Sequence, residues 1–426
     1  MQLADVFERL VGRGAPVEFS AYDGSRSGRQ DAVVRVHMRS PQGLSYMVLS
    51  PGTLGMGRAY VAGELEIEGD MFTALKLLAA GPSLGELSWS ERFDLLRSLG
   101  VGVLRPTAPP AEEVRLRGRR HSKARDQAAI AHHYDVSNRF YEWVLGPSMA
   151  YTCAVYPSDD ATLEEAQWEK HDLVARKLGL KPGMRLLDVG CGWGGMAMHA
   201  AREYGVRALG VTLSRQQAES AQKRIAEEGL SELAEVRHLD YRDVPEGEFD
   251  AVASIGLTEH IGARELPLYF RRLWGKLRPG GRLLNHAIMR PTNAESMLKR
   301  RGFINRYVFP DGELMGLGRI TSAMQDNGFE IRHEENLREH YARTLAAWGR
   351  NLDAHWDEAV REVGPGKARV WRIYMAGSRL GFERRDIELH QILGVKTAAG
   401  RSGMPLRPTW ERPMGTGKGE REAQLT

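Results

Sequence analysis

The chain has 426 residues, of which 42% are hydrophobic and 27% are charged. This length exceeds that of one average domain, and the composition is that of a globular rather than a disordered protein, so two or three folded domains are expected. The net charge of +4 is mildly basic, and two cysteines exclude a disulfide framework or a cysteine-rich zinc site.

The first residues predict an amphipathic helix without the features of a signal peptide. Its apolar face would carry Leu3, Val6, Phe7, Leu10 and Val11. Elsewhere no apolar stretch approaches the ~20 residues that a transmembrane helix needs. We therefore expect a cytoplasmic protein, and any contact with the inner face of a membrane would be peripheral.

Residues 1–105 have the pattern of a mixed α+β domain and carry no catalytic motif. The following segment, 106–130, is rich in arginine and lysine, contains TAPPAEE and is typical of a linker. Its basic residues suit either a solvated connection or a contact with anionic lipid. Nucleic acid is not expected as a partner, since aromatic residues and a recognition module are missing from the segment.

Residues 131–395 predict an α/β domain. The apolar segments MRLLDVG, VRALGVTL, FDAVASIG and GGRLLNHAIM alternate with helical patterns. This alternation predicts a doubly wound, mostly parallel sheet whose ligands bind beyond the carboxyl ends of the strands. Residues 396–426 have the composition of a flexible tail.

The strongest local motif is LLDVGCGWGG, residues 186–195. Asp188 ends a strand, and Gly190, Gly192 and Gly194 allow the backbone a sharp turn and a close approach to a ligand. The spacing GxGxG differs from the dinucleotide fingerprint GxGxxG. It resembles motif I of class I S-adenosylmethionine methyltransferases, which implies S-adenosylmethionine as the cofactor, with Trp193 in the same loop.

Polar residues follow the next two predicted strands. Thr212 and Gln217 could meet the cofactor ribose, and Asp240 and Tyr241 could accept from the adenine amino group and cover the ring. Each of them alone is more often a strand-end cap or a surface residue.

Longer segments narrow the enzyme class. HHYDVSNRFYEWVLGPSMAYTCAVYP, SIGLTEHIG, LLNHAI and HYARTLAAW occur in this order. Together they resemble the cyclopropane fatty acid synthase family, which includes the mycolic acid cyclopropane synthases, over residues 130–395. RAYVAGELEIEGDMFTALKLL resembles the lipid-binding domain of the members that act on phospholipids.

The resemblance implies methyl transfer to the double bond of an unsaturated phospholipid acyl chain, giving a cyclopropane. It also implies a bicarbonate ion held by Cys153, Glu259, His286, Tyr341 and the backbone of Ile288, which are the expected catalytic residues. Four further residues would line the cofactor pocket, with no metal in the site: Tyr134, Asp135, Tyr151 and Thr152.

The expected chemistry explains why such residues would be gathered. An alkene is a poor nucleophile, so the reactants must be aligned in a dry site, and the resulting carbocation must lose a proton to a base. The rings of Tyr134, Trp193, Tyr307 and Tyr341 could stabilise the cation. Alone, Cys153, His286 and Tyr341 are more often core residues, and their joint occurrence favours function.

Two departures from the family pattern leave the product open. Ser378 stands where a cysteine is common, and Thr258 stands where a phenylalanine is common. A methylene-branched product, reduced by a partner reductase to a mid-chain methyl group, therefore stays an alternative. The sequence also leaves open a small-molecule O- or N-methyltransferase, a catalytically dead lipid-binding protein, and a homodimer as the oligomeric state.

Overall fold

The computed structural model describes residues 2–12, 14–80, 107–114, 125, 137–294 and 302–411. Two β-sheets lie within these ranges, a four-stranded sheet near the N-terminus and a seven-stranded sheet in the C-terminal part of the chain. No helix among the described residues combines the length and the hydrophobicity needed to cross a bilayer.

The N-terminal unit packs four short helices on a mixed sheet of order β2-β1-β3-β4. In β3, Val34, Val36 and Met38 are buried and alternate with exposed Arg35 and His37, as expected for a sheet covered on one face. The strands are β1 (Val17–Ala21), β2 (Arg26–Ser27), β3 (Val34–Met38) and β4 (Leu65–Glu68). The helices are α1 (Leu3–Val11), α2 (Pro41–Leu49), α3 (Thr53–Val61) and α4 (Met71–Leu78).

The second sheet has the order β10-β11-β9-β8-β5-β6-β7. Strands β5 to β9 pair in parallel, and β11 runs antiparallel to both of its neighbours. All eight residues of β11 are buried, as expected for a strand covered on both faces. The strands are β5 (Arg185–Val189), β6 (Arg207–Thr212), β7 (Ala234–His238), β8 (Phe249–Ile255), β9 (Leu277–Met289), β10 (Glu330–Asn336) and β11 (Glu388–Val395).

Helices surround this sheet, and their ends follow local sequence signals. The Thr162 hydroxyl and the Glu165 carboxylate cap the start of α6 reciprocally, and Gly179, with a φ of 67°, ends it. The helices are α5 (Asn138–Leu145), α6 (Leu163–Leu178), α7 (Gly195–Tyr204), α8 (Arg215–Glu227), α9 (Leu266–Lys276), α10 (Phe303–Tyr307), α11 (Leu317–Asp326), α12 (Arg338–Ala354), α13 (Trp356–Val363) and α14 (Pro365–Glu383). Short 3₁₀ turns span Tyr241–Asp243 and Thr258–His260.

The N-terminal unit and the second domain share one hydrophobic core. Helices α12 to α14 lie between β10 and β11 in the chain, and α14 packs against α3 and α4. Tyr60 of the N-terminal unit belongs to the same buried cluster as Trp348 and Trp371. The edge of the Phe303 ring lies so close to Gly57 that a β-carbon there would overlap it. The two units are therefore packed as continuous layers rather than joined by a tether alone.

Only part of the predicted linker and tail falls within the described residues. Residues 107–114 lie against both units, since the Tyr46 hydroxyl donates to the Ala108 carbonyl at 2.7 Å and the Val114 N–H donates to the Arg306 carbonyl at 2.7 Å. Arg125, one of the basic residues predicted to be solvated or lipid-bound, forms a two-pronged ion pair with Asp311 at 2.6 and 2.9 Å.

The predicted tail also has an ordered beginning. Ala398 and Arg401 form an isolated β-bridge, and the Trp410 ring packs against the His333 ring at 5.2 Å between centroids. Trp410 also packs against the hydrophobic core. Residues 396–411 thus lie on the second domain, and the rest of the predicted tail lies outside the described residues.

We expect that Arg58→Met will lower the free energy of unfolding by about 3 kcal/mol, because it leaves a buried carboxylate with only a more distant cation, Arg306 at 3.8 Å. Arg58 donates twice to Glu113 at 2.7 Å, and the Glu113 side chain is only 4% exposed. The control is Arg35→Met, since Arg35 is 56% exposed beside Glu18 and such pairs contribute about 0–1 kcal/mol. Urea unfolding of both variants provides the comparison, and equal losses would contradict the prediction.

Candidate functional site

The glycine loop connects β5 to α7. Gly190, Gly192 and Gly194 have φ angles of 72°, 56° and 78°, a region that side chains other than glycine rarely adopt. The N–H groups of Gly190 and Cys191 both donate to the Val211 carbonyl of β6, at 2.9 and 3.0 Å. These two bonds fix the loop at the carboxyl ends of the parallel strands, where the sequence predicts ligand binding.

A cavity opens over this loop. Its walls come from the loop itself, from the segment that precedes α6, from α6, and from the end of β8. The predicted cofactor residues that line it are Tyr151, Thr152, Asp188, Gly190, Gly192, Trp193 and Gln217. The Trp193 indole N–H donates to the Asn138 side-chain oxygen at 3.1 Å, which joins the loop to α5.

The remaining predicted cofactor residues have other neighbours. Gly194 packs behind the loop, where a β-carbon would lie about 3.1 Å from Val236. Thr212 donates its hydroxyl to the Gln217 side-chain oxygen at 2.8 Å and so fixes that cavity residue from behind. Tyr134 and Asp135 lie outside the described residues.

Asp240 and Tyr241 do not line the cavity. The Asp240 carboxylate accepts from Arg242 at 2.6 and 2.8 Å and also caps the 3₁₀ turn that follows it. The Tyr241 ring packs edge-on against Tyr269, with 5.3 Å between centroids. The predicted adenine contacts of this pair stay a prediction.

Sequence reasoning missed two cavity residues on α6, Lys170 and His171. The Lys170 ammonium lies 3.0 Å from the Thr152 hydroxyl and 2.9 Å from His171 Nε2. Burial lowers the pKa of Lys170 to about 7, and burial raises the pKa of Asp188 to about 7 although Lys170 opposes that rise. The cavity therefore holds a carboxyl group and an amine whose charges both change near neutral pH.

The helical period of α6 contains the signal that could have identified these residues. Gln167, Lys170, His171, Val174 and Lys177 follow the spacing of one helix face, and all of them are buried. Lysine on the core side of an amphipathic helix is rare, because burying an ammonium group is costly. Polar residues in this row therefore mark a site rather than a solvated surface.

A second set of buried polar atoms belongs to Glu259 and to β9. The Oε1 atom of Glu259 accepts from the backbone N–H of Ile288 at 2.7 Å. Glu259 Oε2 and the Nε2 of His286 are buried without a hydrogen-bond partner within the described part of the chain. Burial raises the pKa of Glu259 to about 7 and lowers that of His286 well below its usual range. His286 is therefore a neutral imidazole at pH 7.

Cys153 and Tyr341 meet at the first turn of α12. The Cys153 thiol donates to the Ala154 and Leu337 carbonyls, at 3.1 and 3.8 Å. The backbone N–H of Tyr341 donates to the same Leu337 carbonyl at 3.1 Å. Burial raises the pKa of Cys153 above its usual range, so the group is a thiol and not a thiolate.

Aromatic rings connect the cavity with these residues. Tyr151, a cavity residue, packs against Trp348 and Trp371 with 5.4 and 5.5 Å between ring centroids, and Trp348 in turn contacts Tyr341. The Tyr151 hydroxyl donates to the Tyr374 hydroxyl at 3.0 Å. Burial, with a smaller contribution from the nearby Glu259 carboxylate, raises the pKa of Tyr374 to about 12. Cys153 and Tyr341 thus belong to the same hydrophobic cluster as the cavity residue Trp193, and Tyr151 packs against that cluster.

Tyr307, Thr258 and Ser378 have specific surroundings. Tyr307 stacks on Phe303 and lies 3.4 Å from Glu113, beside the N-terminal unit. The buried Thr258 donates its hydroxyl to the Asn285 side chain. Ser378 is half-buried on α14, one turn after Tyr374.

Comparison with known proteins identifies the family of this chain. The model of the family described as "Mycolic acid cyclopropane synthetase" matches residues 121–392. A probable fatty acid methyltransferase of Mycobacterium tuberculosis is 52% identical over 96% of this chain and 99% of its own length. The chain belongs to the cyclopropane synthase family. Both the predicted family and the predicted class I methyltransferase fold are confirmed.

Two further members of the family bear on the substrate class and the cofactor. The cyclopropane-fatty-acyl-phospholipid synthase of Escherichia coli K12 is 34% identical over 81% of this chain and 84% of its own length. The structure of mycolic acid cyclopropane synthase CmaA1 complexed with SAH and CTAB superposes with a TM-score of 0.59 at 32% identity, covering 63% of this chain and 97% of that one. The chain is thus an S-adenosylmethionine-dependent methyltransferase of a lipid-modifying family.

We expect that binding of S-adenosylmethionine will weaken as the pH falls below about 7. Protonation of Asp188 and Lys170 adds positive charge to a cavity that must hold a cationic sulfonium. If binding is coupled to one proton, the Kd should rise about tenfold for each pH unit below this value. S-adenosylhomocysteine, whose sulfur is neutral, provides the control and should respond less. Calorimetric titration of both ligands from pH 6 to 8 tests this, and parallel curves would contradict it.

Proposed function

We propose that this protein transfers a methyl group from S-adenosylmethionine to the double bond of an unsaturated phospholipid acyl chain, giving a cyclopropane. The observation that carries the proposal is the burial of two atoms without a hydrogen-bond partner in the described part of the chain, Glu259 Oε2 and His286 Nε2. The Ile288 N–H binds Glu259 two residues beyond His286, and His286 pairs on the sheet with the cavity residue Ile255. The relative from E. coli is named a cyclopropane-fatty-acyl-phospholipid synthase, which supports the same substrate class.

The aromatic cluster suits an apolar methyl acceptor. An alkene offers no charge to a binding site, so it must be held by shape and by the exclusion of water. Tyr151 and Trp193 line the cavity, and Trp348 and Trp371 pack behind Tyr151. In a desolvated site an aromatic face can stabilise a carbocation by up to about 2 kcal/mol. The acceptor in this proposal therefore lies between the cofactor cavity and α12.

The polar pair beside the rings suits removal of the proton. Deprotonated Glu259, with a pKa raised to about 7, can take up a proton near neutral pH. The N–H of Ile288 holds Oε1, which leaves Oε2 as the atom that meets another group. The neutral ring of His286 lies two residues earlier on the same strand and offers its Nε2.

These residues fit a small oxyanion such as bicarbonate, which when bound would supply a base in contact with the carbocation. The Glu259 carboxylate would accept from the hydroxyl of bicarbonate through Oε2, His286 Nε2 would bind another of its oxygens, and Tyr341 would close the site from α12. The Cys153 thiol is bonded to backbone carbonyls and the Ile288 N–H is bonded to Glu259. In this proposal these two groups therefore support the site from behind.

The methylene-branched product depends on the same residues up to the loss of the proton. The main argument for this product is that Thr258 is more polar than the phenylalanine that is common at its position in the family. The Thr258 hydroxyl is turned toward Asn285, which weakens that argument, so we retain the cyclopropane as the proposed product. A reductase partner would be required only for the alternative.

The direct experiment uses vesicles of dioleoyl phospholipid with methyl-labelled S-adenosylmethionine. We expect label in the acyl chains and a ring carbon in the NMR spectrum of the extracted lipid. An exomethylene signal would replace the cyclopropane with the alternative product. Label confined to head groups, or turnover on small amines without vesicles, would overturn the proposal.

We expect Glu259→Gln to reduce kcat by about 10²-fold or more while the Kd for the cofactor changes less than twofold. Wild-type activity should rise with pH through about 7 as Glu259 loses its proton. The amide of the variant cannot take up the proton, so this rise should be absent. The matched control is Glu313→Gln, since Glu313 is a buried neighbour that accepts from the Ala263 N–H at 2.9 Å. Similar losses in both variants would mean that Glu259 acts only in the fold.

A further inference from the structure

His286 has a buried partner on β11, the last strand in the chain. In the antiparallel pair of β9 and β11, the residue opposite His286 is Gln391. The Gln391 side-chain nitrogen lies 3.2 Å from His286 Nδ1. The Gln391 side-chain oxygen accepts from the Lys177 ammonium at 2.7 Å. Gln391 and Lys177 are both fully buried.

Lys177 also has a partner at the edge of the protein. Its ammonium group donates to the Glu335 carboxylate of β10, whose side chain is 37% exposed. A buried ammonium is tolerated when it is paired in this way. A continuous line of hydrogen bonds therefore runs from Glu335 through Lys177 and Gln391 to His286.

The hydrogen atoms along this line have only one consistent arrangement. An ammonium group can only donate, so the atom of Gln391 that faces Lys177 must be the oxygen. The amide nitrogen then faces His286 and can only donate, so Nδ1 must be the bare nitrogen of the ring. A neutral imidazole carries one proton, and in this arrangement that proton is on Nε2.

The position of Nε2 determines what this tautomer can do in the site. It is buried and has no hydrogen-bond partner within the described residues, and His286 lies two residues before Ile288, whose N–H donates to Glu259. As an N–H it can donate to an anionic oxygen and cannot accept a proton. The other tautomer would place an N–H of His286 against an N–H of Gln391 inside a dry interior.

We propose that Lys177 and Gln391 are positioning residues that fix His286 as its Nε2–H tautomer, so that the ring presents a hydrogen-bond donor to an anionic oxygen in the active site. The inference rests on the proposed function, because it assigns a use to the donor. The tautomer itself follows from the hydrogen-bond pattern and is tested separately from activity.

The first test is the ¹⁵N NMR spectrum of the wild-type protein with labelled histidine, in which His286→Gln identifies the signal of His286. We expect the chemical shifts of a neutral ring with a bare Nδ1 and a protonated Nε2. A protonated Nδ1 would overturn the proposal whatever the activity of the enzyme.

The second test is Gln391→Glu, which keeps the shape and can form an ion pair with Lys177. A carboxylate cannot donate, so it should draw the proton to Nδ1 and leave Nε2 as an acceptor. We expect the ¹⁵N shifts to exchange and kcat on dioleoyl vesicles to fall at least about tenfold, while the Kd for S-adenosylmethionine changes less than twofold. A switched tautomer with unchanged kcat would overturn the proposed role.

The control is Glu330→Gln on β10, since Glu330 is 41% exposed, pairs with Arg332 and does not contact Lys177, so this variant should keep both tautomer and kcat. If Gln391→Glu does not fold, the wild-type spectrum still tests the tautomer. Methylation of dioleoyl vesicles by the wild-type enzyme tests the proposed function, and the ¹⁵N spectrum tests the tautomer of His286. If the enzyme does not methylate the vesicles, the proposed function is wrong, and the spectrum still reports on the hydrogen-bond pattern.

Discussion

Loss of water around ionisable side chains at the carboxyl ends of β5, β8 and β9 is the constraint on which the rest of the site depends. Burial draws the pKa values of Lys170, Asp188 and Glu259 to about 7 from opposite directions. The fold compensates each group only in part. Lys170 and Asp188 compensate each other, and backbone hydrogen bonds from Ile288 and from Glu259 itself compensate the Glu259 carboxylate. The same dry interior strengthens the field that a bound sulfonium experiences.

A continuous aromatic core connects this polar site with the N-terminal unit. The buried cluster that contains Cys153, Trp193 and Tyr341 also contains Phe19 and Tyr60. A single core makes the shape of the proposed acceptor site depend on how the N-terminal helices pack against α14. This dependence gives a physical reason for a relative that shares the full length of the chain to retain both units.

Sequence alone predicted features that local geometry dictates. The loop Gly190–Gly194 was foreseen because its backbone requires positive φ angles, and the alternating strands followed from their apolar runs. Glu259 and His286 emerged only through family resemblance. Lys170, Lys177 and Gln391 were missed because lysine and glutamine are ordinarily surface residues, and only their position in the core rows reveals them. The neighbours of Asp240 and Tyr241 depend on side-chain packing that strand-end position alone does not reveal.

Strand β11 runs antiparallel to both of its neighbours in the larger sheet, and the chain segment that leads to it shapes the site. Between β10 and β11 the chain makes the excursion α12 to α14, which supplies Tyr341, Trp348 and Trp371 to the aromatic cluster. Its return as β11 brings Gln391 beside His286. One segment therefore supplies the apolar walls of the proposed acceptor site and sets the protonation of its imidazole. Sequence changes in this segment that reshape the walls would, through β11, also act on the proton-handling group, so acceptor shape and proton loss are coupled within one piece of chain.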